Sequence, residues 1–234
     1  MRRREETSAS RAHTAARRGR LPPTLPTYRR DLARSLNKQG GRLHDRGRDE
    51  EALAAIEEAV GINRELAHAD PAFCRDLANS LNTQSTVLSR LNDPGHHEKA
   101  LAAIEEAVTI RRQLANARPD EFRPNLAKSL NRLAGRLNDR GHHEEALAAI
   151  EEAVGINREL AHADPAFCRD LANSLDTQST VLSRLGRRAE AQAAENEADR
   201  IRKYLAAVGP DAFCRNPANS LNTHCERRHE KRES

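Results

Sequence analysis

The 234-residue chain is poor in rings: it has no Trp, two Tyr and four Phe. Large rings supply much of the buried area of a thick core, so a globule built around one such core is excluded. Hydrophobic residues are 37%, below the usual share of a globular chain. β-branched residues are scarce, whereas Ala (38) and Leu (25) abound. These, with the plentiful Arg and Glu, are good helix formers, and an all-β fold is excluded too. No stretch approaches the ~18 consecutive apolar residues of a membrane span, and no apolar run follows the N-terminal Arg cluster as a secretory signal requires. The composition therefore predicts a thin array of small-residue helices in the cytoplasm.

Charge is unevenly placed. Residues 1–20 carry seven Arg (Arg2, Arg3, Arg4, Arg11, Arg17, Arg18, Arg20) against Glu5 and Glu6, and residues 226–234 add one further positive charge. The formal +4 thus belongs to the two ends, around a slightly acidic body. A basic folded face, the electrostatic footprint of a nucleic-acid binder, is missing.

What the chain does have is repetition. Residues 50–91 recur at 144–185, and over these 42 positions only Asn82 against Asp176 differs. A looser repeat lies inside that block. DLARSLN at 31, DLANSLN at 76, NLAKSLN at 125 and DLANSLD at 170 open equivalent segments, and a worn copy, NPANSLN, opens at 216. Such periodicity signals a solenoid.

Each unit reads as two helices. In the first, Leu32, Leu36 and Leu43 share one helical face, and Gly47 ends the helix. In the second, Ala52, Leu53, Ile56, Ala59, Val60 and Leu66 form the apolar stripe. Glu50, Glu51, Glu57 and Glu58 crowd the early turns, where they suit the helix dipole. Asp70-Pro71 and Asp164-Pro165 mark new starts as cap and first residue. Asn92-Asp93-Pro94 reads as a loop insertion. Tyr28, Phe73, Phe122, Phe167 and Phe213 fall once per unit, as anchors at the joints between successive pairs.

The pattern Leu36, Gly40, Leu43, Gly47, Ala52, Ile56, Ala59 resembles the tetratricopeptide repeat. It returns as Leu81, Ser85, Leu88, Gly95, Ala100, Ile104, Ala107; as Leu130, Ala134, Leu137, Gly141, Ala146, Ile150, Ala153; and as Leu175, Ser179, Leu182, Gly186, Ala191. The unit exceeds the usual ~34 residues and is similar to the long-helix variety of kinesin light chains. Gln39, Gln84 and Gln178 depart from the large apolar residue found there, and only Leu133 keeps it. The resemblance implies an all-α fold, an α-solenoid of antiparallel helix pairs wound as a right-handed superhelix. The expected organisation is a disordered basic tail (1–23), four helix pairs (24–208), a degenerate closing helix (209–225) and a charged disordered tail (226–234).

The resemblance also implies a function. In this family the first helices line a concave groove for an extended peptide or a partner helix. The matching positions here are Arg34 and Asn37, Asn79 and Asn82, Lys128 and Asn131, Asn173 and Asp176. The column Asn37, Asn82, Asn131, Asp176 is notable. An amide offers a donor and an acceptor together, which suits pairing with successive backbone units of a peptide, whereas Asn is a mediocre mid-helix residue. The expectation is a non-catalytic module that binds a protein or peptide, with no cofactor and no membrane contact. Two rivals are a sensor fragment of a larger signalling protein, working beside a peptidase or ATPase, and nucleic-acid binding through the Arg-rich ends. The first unit lacks a preceding helix, so end-to-end self-association is open to it.

Other motifs carry less. His96-His97 and His142-His143 recur, but Arg48-Asp49 and Arg187-Arg188 hold the same places elsewhere, so exchangeable polar residues explain them better than a metal. Cys74, Cys168 and Cys214 follow the ring, where Arg29 and Arg123 also occur, which suggests exposed free thiols. Phosphate loops and zinc-protease patterns are absent.

Overall fold

The computed structural model describes residues 26–91 and 93–212. It divides into two compact units, Met1–Leu114 and Ala115–Ser234. The expected tails (1–23 and 226–234), Phe213 and most of the expected closing helix lie outside the described residues.

The first unit runs α1 (Pro26–Asp45), α2 (Asp49–Ala69), a 3-10 turn (Pro71–Phe73), α3 (Cys74–Leu88) and α4 (Pro94–Ala117), whose last turn crosses the unit boundary. The second runs α5 (Pro119–Asp139), α6 (His143–Ala163), a 3-10 turn (Pro165–Phe167), α7 (Cys168–Arg184) and α8 (Arg188–Ala212). No strand occurs among the described residues. In each unit consecutive helices pack on one another, α1 on α2 and α2 on α3, then α5 on α6, α6 on α7 and α7 on α8. Alternate first helices also touch, α1 with α3 and α5 with α7.

The helix ends follow from the residues. Gly47, Gly141 and Gly186 have φ of +74°, +83° and +74°, a left-handed conformation that glycine adopts without steric cost. Each lets the chain close the preceding helix. Arg48 N–H donates to Leu43 O, His142 N–H to Leu137 O and Arg187 N–H to Leu182 O, at 3.0, 2.9 and 2.9 Å. Asp70 and Asp164 cap the next starts, accepting from the Ala72 and Ala166 amides at 2.8 and 2.9 Å. The proline after each opens a 3-10 turn rather than the α-helix itself, and the ring that follows sits at the elbow. Asp93 caps α4 by accepting from Gly95 N–H at 2.7 Å.

The core is a thin seam of small residues. Ala33, Ala52, Ile56 and Ala59 are fully buried in the first pair, as are Ala134, Ala146, Ile150 and Ala153 in the third. A Cβ built on Gly40 would meet Ile56 Cδ1 at 2.7 Å and the Ala52 carbonyl at 3.1 Å, so α1 and α2 touch where no side chain fits. Ile56, Ile104 and Ile150 plug this place in three pairs, each fully buried. In the fourth pair Glu195 holds this slot and is exposed, so the place is left unplugged. Of the rings, Phe122 is buried, and Phe73 and Phe167 are half-buried. Arg30 lies over Phe73 at 5.6 Å and Arg118 over Phe122 at 4.9 Å, in cation–π range.

Candidate functional site

Within each unit the first helices present an outer and an inner set of side chains at matching positions. The outer one, Arg34, Asn79, Lys128 and Asn173, is exposed in all four pairs. Packing leaves this face free because the same helices bury Leu36, Leu81, Leu130 and Leu175 on the other side. The inner one, Asn37, Asn82, Asn131 and Asp176, is half-buried.

Most of the outer column is engaged within the protein. Arg34 reaches Asp76 on α3 at 3.3 Å, where Arg30 also binds at 2.8 Å. Lys128 pairs with Asp170 on α7 at 3.4 Å. Asn79 Oδ1 accepts from Arg111 at 2.9 Å. These cations therefore link one first helix to the next, a role the sequence reading did not assign. Asp76 is the tighter knot, with its side chain 8% exposed against 31% for Asp170.

The inner column differs from an open amide ladder. The Oδ1 atoms of Asn37 and Asn131 are buried without a hydrogen-bond partner, so these oxygens do not face an open groove. The Asn82 carbonyl takes the Thr86 hydroxyl at 3.0 Å, and Asp176 does the same with Thr180 at 2.9 Å. Asp176 also binds Arg202 of α8. With Ser179, Thr180, Ser183, Arg184 and Glu195 it lines an open polar cleft between α7 and α8. The cleft lies where the fourth pair has lost its isoleucine plug. The one substitution in the copied block thus falls beside this cleft, in a pair that still buries Val181, Leu182, Ala191 and Ala198.

Some important side chains escaped the sequence reading. Asn63 of α2, 1% exposed, donates to Ser80 Oγ at 2.9 Å and to the Asp76 carbonyl at 3.4 Å. Asn157 of α6 repeats both bonds at the same lengths, to Ser174 Oγ and the Asp170 carbonyl. Each amide fastens a second helix to the following first helix. The signal was present as a polar residue inside an otherwise apolar stripe, recurring at an offset of 94. Arg111 and Arg202 hold the same slot in the other two pairs.

The remaining motifs are local. His44 Nδ1 lies 2.5 Å from Asp49 Oδ1, and His143 Nδ1 lies 3.0 Å from Asn138 Oδ1, each clasping the two helices of one pair. His142 pairs with Glu145 in its own turn. No group of three or more metal-ligating side chains converges among the described residues. Cys74 and Cys168 are free thiols. Cys168 is 1% exposed rather than open to solvent, and burial, with nearby Asp164, pushes its thiol up from the ordinary value. No helix among the described residues is long and apolar enough to cross a membrane.

Comparison with known proteins agrees with this architecture. Residues 126–164 match the tetratricopeptide repeat model. Residues 42–72 and 78–118 match a model described as anaphase-promoting complex subunit 5. No curated protein matches in sequence. Among solved structures, BtubC (BKLC) from P. vanneervenii is similar with a TM-score of 0.66 and 19% identity, covering 94% of this chain and 81% of that one. A putative kinesin light chain of Podosopora anserina with nearly identical TPR-like repeats gives 0.57 and 18%, covering 82% and 81%. MamA gives 0.53 and 14%, covering 86% and 98%. At these identities the likeness is one of fold. Eight helices among the described residues, taken in pairs, a small-residue seam at fixed positions and the match over 126–164 give this chain a tetratricopeptide-like helical-repeat fold.

Proposed function

We propose that the chain is a non-catalytic interaction module whose first helices offer their exposed face to an extended peptide or a partner helix. The observation that carries this is the outer column. Arg34, Asn79, Lys128 and Asn173 stay exposed in all four pairs while neighbouring positions are consumed by packing. Their internal partners hold long side chains in fixed poses, which lowers the ordering cost of binding. The inner column adds amide N–H groups behind them, and Asp176 adds a charge at the fourth pair. Free Cys74 and Cys168 suit a reducing, cytoplasmic setting.

The test is a displayed-peptide selection against the full chain, followed by titration of the selected peptides. Combined Lys128→Ala and Asn131→Ala should weaken binding about fivefold or more, as loss of a hot spot does. Glu57→Ala, on the solvated side of α2, should leave it unchanged. Peptides that bind equally well to the double variant would refute the reading.

A further inference from the structure

We infer that copies of the chain associate head to tail. The α7–α8 end of one copy stacks on the α1–α2 end of the next, in the register that joins successive pairs inside each unit. The open face of α1 is visible in its leucines. Leu32 and Leu43 are half-buried, whereas their counterparts in the other three first helices are all buried. At the other end, Ile201 and Leu205 of α8 are also half-buried.

Charge says what covers these faces. Inside the units two kinds of ion pair mark the joint. Between first helices, Arg30 binds Asp76 at 2.8 Å. Between second helices, Arg64 binds Glu106 at 2.7 Å and Arg158 binds Glu197 at 2.9 Å. The α1–α2 face of the first unit and the α7–α8 face of the second carry the separated halves of these pairs. At the α1 end, Asp31 occupies the slot of Asp76, and Glu58 that of Glu106 and Glu197. At the α8 end, Arg169 occupies the slot of Arg30, and Lys203 that of Arg64 and Arg158. All four are exposed, and none has an ion-pair partner among the described residues. Both pairs match in sign when α8 of one copy meets α1 of another. Arg202, in the slot of Asn63, then lies near Asp31. A guanidinium at that slot tolerates burial, since Arg111 is 5% exposed.

The rival occupant of α8 is the chain's own segment 213–222, which repeats residues 73–82. It has Asn216 in place of Asp76 and Pro217 in place of Leu77. It therefore lacks both the carboxylate and the leucine that Asp31 and Leu32 supply. The joint is heterologous, so it propagates into open chains or closes as a ring.

Sedimentation velocity on the full chain tests this. The average mass should climb above 26.1 kDa with concentration up to roughly 100 µM, and more steeply at low salt. Lys203→Glu and Glu58→Lys should each weaken association about fivefold, the swing from an attractive to a repulsive exposed pair. An equimolar mixture of the two variants should restore it, because each end again faces its opposite charge; this rescue also shows that both variants fold. A full chain that stays at 26.1 kDa overturns the inference. So does association that ignores both reversals, or one that appears only when the chain is cut after Ala212, which would assign α8 to residues 213–234.

Discussion

Replacing Asn157 by Ala removes the donor that fastens α6 to α7. The side chain is 3% exposed and gives one good bond, 2.9 Å to Ser174 Oγ, and one long bond, 3.4 Å to the Asp170 carbonyl. A net ~1 kcal/mol is lost with the good bond, and Ser174 Oγ, itself buried, loses a partner at a cost of about 1 kcal/mol more. The small cavity left behind raises the total to about 2–3 kcal/mol. Asn63→Ala breaks the same two bonds but should cost about 1 kcal/mol less. Asn63 Oδ1 is buried without a partner, and deleting it removes a desolvated acceptor as well. Urea unfolding followed by circular dichroism gives the two values. Because repeat arrays can open in parts, amide exchange along α6 and α7 should locate the loss. A double-mutant cycle with Ser174→Ala should show a coupling of about 1 kcal/mol. Additivity of the two substitutions, or an Asn157→Ala variant within about 0.5 kcal/mol of the parent, would refute the reasoning.

Gly141→Ala forces a side chain into φ +83° and should destabilise by about 1–2 kcal/mol. Gly155→Ala, mid-helix with nothing near its Cβ position, should stabilise by about 0.5–1 kcal/mol; thermal melts of the pair check both signs. Asp76→Ala should cost about 1–2 kcal/mol and Asp170→Ala under about 1 kcal/mol. The first is held by two Arg at 8% exposure and the second by one Lys at 31%; chemical unfolding at low and high salt tests the order. Alkylation mapped by mass spectrometry should find Cys74 reactive and Cys168 protected. Because the folded Cys168 thiol titrates above its unfolded value, its effect on stability is nil below the ordinary thiol range. The folded state then loses stability as pH rises through that range. A Cys168→Ser variant should show a smaller alkaline loss.

The architecture was legible because it rests on period. Leu at spacings of four and seven, Gly at the turns and Asp-Pro at the starts each dictate a local geometry, and four repetitions reinforce one reading. The candidate site was less legible, because a column in sequence does not reveal which atoms packing consumes. Asn37 and Asn131 share a slot on the first helix, yet their carbonyl oxygens turn out buried. Arg34 and Lys128 read as groove positions, and nothing in the sequence shows that they also hold Asp76 and Asp170 on the next first helix. Glu195 is legible in the sequence as the missing isoleucine of the fourth pair, four residues after Ala191. Cys168 illustrates the limit of inference by exchange. Arg123 in an equivalent slot suggested exposure, but a long side chain can leave a place that a thiol must fill.

The offset of 94 residues has a genetic consequence. Because 50–91 and 144–185 are nearly identical, unequal crossing-over between their coding sequences deletes one copy together with the segment between. The product would be 94 residues shorter, with α1 meeting α6, which matches α2 over residues 50–69. Arg30 and Arg34 would find Asp170 in the place of Asp76. Every joint of that product already exists in the parent, so no new packing has to evolve. Arrays differing by two helix pairs should therefore arise as natural length alleles, each ready-folded at birth.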